Sequence, residues 1–551
     1  MIFAATSPFS FTPGATDWLR ILPELIMLAA GLITLLADLV AAQGRKGWLS
    51  LVGLAGVVAA IVVTALLWAG GSNGDAFNGM INDDRVTLFA NVVILFSVGV
   101  ALLFSPGYIE RQNIIHEGEY YTLMILAALG MMLMSAASNL MILFVGLEIL
   151  SLALYILSAI VTTRRRSQEA GMKYFILSSF ASAFLLYGMA LTYGATGATN
   201  LSAIRAFLNG HRDFPLGSGF GPLLLVALGL MAVGFCFKVS AIPFQAWTPD
   251  VYVGAPTSVT AFMSVGTKVA AFVGLARVFF YALPALHVEW EPVFWAIAVL
   301  TMIGGTLLAA SQRDVKRMLA YSSVTNAGYM MVAVATHTQA ALQGLLIYLA
   351  CYAVMNLGAF GVVLAIERRD GLGTTLDDFA GLGRRRPGLA ALMALFMLAL
   401  AGIPATAGFI GKWYVFYAAV IGSHVELAII GVLASLVGMY YYLRVVWAIY
   451  FSEPATAPLA VLADEPATPP TEPAGEPLTR ATTTTGGVAV AEPAVTPATT
   501  TVTKVVPADR APLQPAAGVG LALAAILTLV LGIVPMLLVD WALAAAQTLI
   551  K

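Results

Sequence analysis

Long apolar stretches separated by short polar, glycine- or proline-containing segments run through most of the chain. A helix needs about 20 mainly apolar residues to cross ~30 Å of hydrocarbon. Runs of this length predict about fourteen transmembrane helices, and the fold class is therefore predicted to be an all-α polytopic membrane protein. Their approximate limits are 21–40, 49–69, 86–105, 120–136, 139–161, 169–195, 221–243, 257–283, 293–311, 315–336, 341–366, 389–411, 413–450 and 518–545.

Two apolar runs are too long for one crossing and have to be divided. The run from Tyr120 to Val161 contains Ser138-Asn139, which offers a tight turn. The run from Leu389 to Phe451 divides near Gly422-Ser423-His424, which leaves Lys412 in, or just after, the earlier of its two spans.

Composition supports this class and excludes others. Hydrophobic residues make up 60% of the 551 positions and charged residues 10%, far from the balance of a soluble domain. A net charge of -1 gives no reason to expect a nucleic-acid partner. The two cysteines, Cys236 and Cys351, lie in different apolar spans without a CxxC spacing, so neither a disulfide framework nor a metal or iron–sulfur site is predicted.

Basic residues concentrate in alternate loops, and this bias predicts orientation. By the positive-inside rule, loops rich in Lys and Arg lie in the cytoplasm, which places both termini on the outer side. Loops after odd-numbered spans carry Arg45, Lys46, Arg111, Arg164, Arg165, Arg166, Arg313, Lys316, Arg317, Arg368, Arg369, Arg384, Arg385 and Arg386. Loops after even-numbered spans carry Arg85, Arg205 and Arg212.

The segment 454–516 differs from the rest of the chain. It is rich in Pro, Thr and Ala and contains repeats such as TPPTEPAGEP and ATTTTGG. Such a composition buries too little apolar surface to offset the entropy of ordering, so we predict a disordered cytoplasmic linker before the last span.

Four ionisable side chains lie deep within apolar stretches: Glu148, Lys238, Lys268 and Lys412. A charge at bilayer depth costs at least ~2.5 kcal/mol, so it is usually paired, hydrated or functional. No nucleophile or redox motif accompanies them, and a path for protons or cations is the favoured interpretation. Structural ion pairing is the alternative for these residues, and snorkelling to the interface is the alternative for Lys173, near a helix end.

Two of the lysines have a proline close by. Pro243 follows Lys238, and Pro404 precedes Lys412. Proline removes a backbone donor, and a broken helix in a membrane is tolerated where protein or water satisfies the freed groups. Both breaks fall in the fourth helix of a five-helix unit, and an odd helix number makes the second unit inverted. The predicted divisions are helices 1–3 (1–119), a first repeat (120–284), a second repeat (285–453), the linker (454–516) and a last helix (517–551).

Several motifs resemble one known family. The run WTPDVYVGAPTSVTAFMS from Trp247 to Ser264 resembles the antiporter-like subunits of respiratory complex I. The segments MKYFILS (172–178), YGATG (193–197) and DVKRMLAYSS (314–323) are similar to those of the subunit N type of bacterial proton-pumping NADH-quinone oxidoreductase. The resemblance covers about residues 20–450 and, more weakly, the last span.

The resemblance implies two proton half-channels with the buried charges as carriers. Glu148 corresponds to a glutamate that pairs with Lys238 on the broken seventh helix. Lys268 corresponds to a connecting lysine, and Lys412 to the terminal lysine of the broken twelfth helix. Lys173 also matches a lysine of this subunit type.

One position departs from the family's pattern. Asn326 stands where many relatives have a histidine, and an amide cannot accept and pass on a proton as imidazole does. This link is therefore expected to run through water or through Tyr321 and Tyr329. Asp250, after the first break, reads equally well as a loop cap or as a group facing the proton path.

The resemblance also implies the setting of the chain. It would be a translocating subunit of an NADH:quinone oxidoreductase in the bacterial cell membrane, with both termini periplasmic. No redox centre is expected on this chain, because it lacks dinucleotide, flavin and cluster motifs. FMN, iron–sulfur clusters and quinone are expected on other membrane and peripheral subunits, and lipids surround the helices.

Two further function classes share these features. A subunit of a multisubunit cation/proton antiporter would use the same lysines and broken helices, and the motifs at 172–178 and 247–256 favour the redox complex over it. A non-transporting assembly scaffold would tolerate loss of the buried charges.

Overall fold

The computed structural model describes residues 13–40, 46–210, 221–368, 371–453 and 513–550, and these residues are predominantly helical. Among them, 12 helices are long and apolar enough to cross a membrane, and three apolar helices are shorter. The predicted class of an all-α polytopic membrane protein is confirmed. The count of about fourteen crossings stays a prediction.

In the described part of the chain, the helices follow one another with one small two-stranded sheet, β1 (Asp75–Ala76) and β2 (Ile81–Asn82), near the start. They are α1 (Ala15–Arg20), α2 (Leu22–Val40), α3 (Leu49–Ala69), α4 (Arg85–Gln112), α5 (Glu117–Ala136), α6 (Leu140–Ala159), α7 (Arg165–Thr196), α8 (Leu201–Gly210), α9 (Gly221–Val239), α10 (Trp247–Gly254), α11 (Thr257–Ala276), α12 (His287–Ala310), α13 (Val315–Thr336), α14 (Gln339–Ile366), α15 (Leu376–Phe379), α16 (Leu382–Arg385), α17 (Pro387–Ala401), α18 (Ala407–Ile421), α19 (Val425–Phe451), α20 (Pro515–Ile533) and α21 (Met536–Leu549).

The two long apolar runs divide where the sequence predicts. Helices α5 and α6 are separated at 137–139, where the Asn139 side chain accepts a hydrogen bond from the Met141 amide and caps α6. Helices α18 and α19 are separated at 422–424, where Ser423 adopts a positive φ of 67°.

The predicted last span, 518–545, is wrong as a single helix. It consists of α20 and α21, separated at Val534 and Pro535, because proline lacks the amide hydrogen that would continue the helical ladder. The predicted linker also ends too late: α20 begins at Pro515, whose fixed φ suits the first turn of a helix. Residues 454–512 of that linker lie outside the described residues.

Two helices form the centre of the molecule. Every residue of the apolar stretches of α11 and α14 is buried, whereas only 33% of those in α2 and α3 are. The outer helices instead expose large apolar side chains such as Leu36, Phe180 and Trp447. This distribution fits a surface solvated by lipid, with α11 and α14 shielded from it.

A buried ion pair that the sequence analysis did not single out joins three helices. Arg277, which follows α11, lies 2.7 Å from Asp84, and their side chains are 3% and 4% exposed. The Arg277 guanidinium also donates to Thr87 Oγ1 (2.6 Å) and to the Ser135 carbonyl (2.5 Å), while Asp84 accepts from the Thr87 amide and caps α4. All of these hydrogen-bonding groups are thus satisfied inside the protein.

This pair predicts a stability effect. Arg277→Gln leaves the Asp84 carboxylate buried without its counter-charge, at a cost of ~3–5 kcal/mol. Thermal unfolding of the purified, detergent-solubilised protein measures the loss. The double variant Asp84→Asn/Arg277→Gln serves as the control and is expected to lose less, because neither charge is left alone. A single variant as stable as the unsubstituted protein would contradict the prediction.

Candidate functional site

Lys238 lies at the end of α9, next to the first helix break. Its side chain is 3% exposed, and its ammonium donates to Ser151 Oγ of α6 (2.7 Å) and Ser178 Oγ of α7 (3.1 Å). The rings of Tyr155 and Tyr174 lie 5.9 and 5.5 Å from the same nitrogen, within cation–π range. Helices α6 and α7 therefore supply a neutral but strongly polar cage for this charge.

Side chains bridge the two parts of the broken helix. Ser240, with a positive φ of 65°, ends α9, and its hydroxyl accepts from Thr248 Oγ1 (2.8 Å). The Trp247 indole donates to the Phe237 carbonyl (3.1 Å). Pro243 lies in the interruption between α9 and α10. The break predicted beside Lys238 is thus observed, and it is sealed by side chains.

Glu148 lies one helical turn before Ser151 on α6. Its side chain is half-buried, and its Oε1 atom is buried without a hydrogen-bond partner. Both Glu148 and Lys238 belong to the described residues, yet they do not form an ion pair; Ser151 contacts Lys238 instead. The carboxylate is consequently near the lysine without holding its proton directly.

Lys412 lies on α18, after the second break, and is 7% exposed. Its ammonium donates to the Leu400 and Ala401 carbonyls (3.0 and 2.9 Å) at the end of α17 and to Ser435 Oγ (2.7 Å). The last carbonyls of a helix lack internal partners and carry its negative dipole end. Two of the hydrogen-bond partners of Lys412 are therefore carbonyls that the helix break leaves free.

The backbone at this break is specialised for that contact. Helix α17 ends at Gly402, with φ 90°, and Pro404 follows before α18 begins at Ala407. A Cβ atom on Gly402 would lie 3.1 Å from Lys412 Cδ and 3.2 Å from its Nζ. Both the left-handed conformation and the close approach therefore favour glycine.

Lys268 has no such partners. It is completely buried on α11, and its Nζ atom makes no hydrogen bond. A buried ammonium left unpaired is costly, so a charged Lys268 requires water or a moving side chain as partner.

A network of hydroxyls surrounds Asn326 on α13. Tyr348 donates to Asn326 Oδ1 (2.6 Å), and Asn326 Nδ2 donates to the Ser322 carbonyl (2.7 Å). The hydroxyls of Ser322 and Tyr442 lie 2.5 Å apart. Tyr329 is one turn from Asn326, and its ring lies 5.2 Å from the Lys412 nitrogen. The network thus extends from the amide toward Lys412.

The two tyrosines named from the sequence differ in position. Tyr329 is buried beside Lys412, whereas Tyr321 is half-buried, and within the described chain no hydrogen bond joins its hydroxyl to the Asn326 network. The sequence analysis missed Tyr348 and Tyr442, which contact the amide from α14 and α19. It also missed Ser151, although a serine one helical turn after a glutamate in an apolar span can be recognised from the sequence.

Lys173 lies apart from Glu148, Lys238, Lys268 and Lys412, which we call the buried line. Its side chain is 40% exposed and pairs with Glu169 (2.7 Å) and Asp250 (2.8 Å). Asp250 lies in the first turn of α10 and also approaches Arg317 (3.7 Å). These four charges form an ion-pair group at the edge of the protein.

The arrangement offers no evident metal site. Within the ranges that the structure describes, no group of three or more His, Cys, Asp and Glu side chains could hold a metal ion.

Comparison with a protein-family model agrees with this geometry. Residues 137–438 match the model described as NADH:quinone oxidoreductase/Mrp antiporter, TM. This range contains Glu148, Lys238, Lys268 and Lys412 together with both helix breaks.

Individual relatives are more specific. The NADH-quinone oxidoreductase subunit N of Trichlorobacter lovleyi is 43% identical over 431 residues, which cover 78% of this chain and 87% of that protein. Subunit N of Paramagnetospirillum magneticum is 40% identical over 441 residues, covering 80% and 90%.

Solved structures match over nearly the whole length. A chain of respiratory complex I from Thermus thermophilus is 30% identical, with a TM-score of 0.71 and coverage of 95% of this chain and 99% of that one. A chain of the Mrp complex from Dietzia sp. DQ12-45-1b has a TM-score of 0.76, but its 21% identity shows the fold alone.

Fold and site together define a polytopic helical membrane protein whose buried lysines lie along interrupted helices, as in ion-translocating proteins. Within this class, the identity and coverage of its relatives assign the chain to one family. The chain belongs to the NADH-quinone oxidoreductase subunit N family.

The Asn326 network predicts a difference between two substitutions. Asn326→His retains a polar ring that can contact Tyr348 and Tyr442, and proton pumping is expected to persist. Asn326→Leu removes both hydrogen-bonding functions and leaves the Tyr348 hydroxyl unpaired, so pumping is expected to fall severalfold. Acidification of vesicles carrying each assembled variant measures this. Equal pumping by the two variants would show that the amide network is not part of the path.

Proposed function

We propose that this chain is a membrane-embedded, proton-translocating subunit of an NADH-quinone oxidoreductase, in which partner subunits carry out electron transfer from NADH to quinone. The observation that carries the proposal is the placement of Lys238 and Lys412 beside two helix breaks, with buried Lys268 on a central helix. The names and coverage of the relatives support it. As a subunit, the chain is part of an enzyme without holding a redox centre.

The two breaks support an internal repeat, with the boundaries 120–284 and 285–453. Helix α5 packs extensively on α6, as α12 does on α13. Helix α7 packs on both parts of the first broken helix, α9 and α10, as α14 does on both parts of the second, α17 and α18. The interruptions 240–246 and 402–406 then occupy corresponding places. Five crossings per unit invert the second repeat. The remaining divisions are 1–119, a linker that begins at 454 and ends before α20, and the C-terminal helices α20 and α21.

A proton held by Lys238 would depend on Glu148. Desolvation of an amine disfavours its charged form, and a nearby carboxylate favours it. Since Lys238 contacts Ser151 and not Glu148 in this structure, a small displacement of either charged side chain changes their coupling. That change loads the lysine with a proton or releases it.

Transfer beyond Lys238 would use Lys268 and then the Asn326 network. The amide of Asn326 cannot shuttle a proton, so its neighbours Tyr348 and Tyr442, with water, carry the step. Tyr329 lies beside Lys412, the last carrier. Lys173 and Tyr321 lie outside the buried line and do not carry the proton in this path.

The energy has to come from partner subunits. Moving one charge against 100 mV costs ~2.3 kcal/mol, and this chain carries no redox motif to supply it. FMN, iron–sulfur clusters and quinone on partner subunits would provide the driving reaction. We place the subunit in the bacterial cell membrane among lipids, with both termini periplasmic, as the loop charges predict.

Coupled turnover tests the proposal. Lys238→Ala and Glu148→Ala, each in the assembled complex, are expected to depress both NADH-dependent quinone reduction and the pH gradient in membrane vesicles, because a blocked proton path slows the reaction coupled to it. Lys46→Ala is the matched control, since Lys46 pairs with Asp38 near a helix end and lies outside the buried line. Wild-type levels of both activities in the two test variants would show that these charges are structural.

The second candidate, a subunit of a multisubunit cation/proton antiporter, is favoured by the shared fold with the Mrp chain. Sodium dependence separates the two. A dedicated antiporter requires an alkali cation for exchange, whereas the proposed subunit is expected to support the same NADH-driven acidification with sodium replaced by choline. Loss of acidification in choline medium, restored by sodium, would favour the antiporter.

A further inference from the structure

A buried carboxylate that the path above does not use lies at the end of α14. Glu367 is 2% exposed, and both of its oxygens are occupied. Tyr108 of α4 donates to Oε1 (3.2 Å), and Thr257 Oγ1 donates to Oε2. Two cations interact electrostatically with this carboxylate: Arg111 of α4 and Lys316 of α13. The carboxylate is therefore enclosed by hydrogen-bond donors and cations at the end of a fully buried helix.

Glu367 is connected to the helix that carries Lys268. Thr257 is the first residue of α11, and its amide donates to the Tyr108 hydroxyl (3.1 Å). A carboxylate at this place faces the positive end of the α11 dipole. The beginning of α11 is thus anchored directly to Glu367.

A line of polar contacts follows the interface between α11 and α14. These helices are antiparallel, since Thr257 meets Glu367 and, further along, Asn356 Nδ2 donates to Ser264 Oγ (2.6 Å). Eleven residues are about three helical turns, so Glu367 and Asn356 lie on one face of α14. Thr257 and Lys268 are also eleven residues apart on α11, and the Lys268 amine, one turn beyond Ser264, makes no hydrogen bond.

The other end of this line adjoins a cavity. A cavity of ≈ 250 Å³ lies between α4, α14 and the beginning of α20, and its lining includes Tyr108, Glu110, Arg111 and Gln514. Glu110 is exposed. By the loop charges, this is the cytoplasmic end of these helices. Tyr108, which lines this cavity, donates to Glu367.

We propose that Glu367 takes up protons from the cytoplasmic side and delivers them to Lys268 along the interface of α11 and α14, an inference that rests on the proposed translocating function. A proton from cytoplasmic water binds the Glu367 carboxylate. It then passes, through water held between the polar groups of the two helices, to the Lys268 amine, and the carboxylate is restored. Arg111 and Lys316 interact electrostatically with the restored carboxylate.

A purely structural role and a proton-carrying role require different properties of the side chain at position 367. As an anchor between α4, α11 and α14, position 367 needs only the length of Glu and an acceptor oxygen, and Gln provides both. As a proton carrier it needs a titratable group, and Asp provides that at a shorter length. The two conservative variants therefore discriminate between the roles.

The experiment measures NADH-driven acidification and quinone reduction in vesicles carrying the whole complex with Glu367→Gln or Glu367→Asp. We expect a severalfold loss of acidification with Gln and a substantial recovery with Asp. Glu119→Gln, which removes an exposed carboxylate from the same end of the protein, is the matched control and should retain both activities.

Each remaining outcome is decisive. Full acidification with Glu367→Gln, or equal losses with Gln and Asp, would overturn the inference. If the Gln variant does not assemble, Ser264→Ala decides, because it removes one oxygen midway along the line; unchanged acidification in that variant overturns the proposal. When Lys238→Ala lowers acidification and Glu367→Gln does not, only the uptake route fails, whereas full activity in both variants refutes the translocating function itself.

Discussion

A cation buried among membrane helices has to find its hydrogen-bond partners inside the protein, and this constraint shapes the whole site. Lys412 uses the carbonyls that an interrupted helix leaves free. Lys238 uses serine hydroxyls and tyrosine rings from two neighbouring helices. Lys268 uses neither and remains unpartnered at the centre. The three lysines thus have three different environments along one membrane domain.

The same constraint explains why helix breaks and lysines occur together. In an uninterrupted helix the backbone carbonyls accept hydrogen bonds from amides of the same helix. A neighbouring cation therefore finds few partners beyond side chains. The break at Gly402 exposes two carbonyls to Lys412 while Ser435 completes the contact. At the first break the Phe237 carbonyl accepts from Trp247 instead, and Thr248 donates to the Ser240 hydroxyl. The two breaks are therefore similar in position and different in chemistry.

Much of this arrangement could be predicted from the sequence, because apolar length, proline and buried charge are local signals. Glu148, the three lysines, Pro243 and Pro404 all belong to that group. Their partners could not be predicted, since Ser435 approaches Lys412, and Glu367 approaches Thr257, only through the packing of helices distant in sequence. The Arg277–Asp84 pair was missed for the same reason. Pro535 is also a local signal, and the prediction of one helix over 518–545 was wrong because it did not take this proline into account.

The separation of Glu148 from Lys238 is itself suited to a carrier. Two opposite charges 4 Å apart interact by ~4 kcal/mol at an effective dielectric constant of 20, which would trap a proton on the lysine. Neutral hydroxyls stabilise the ammonium less strongly and can reorient to donate or accept as it gains or loses its proton. With Ser151 in contact and Glu148 one turn away, the lysine is held in place without being locked in one protonation state. In the proposed mechanism, a modest movement of α6 would change the affinity of Lys238 for its proton, as coupling to a distant reaction requires.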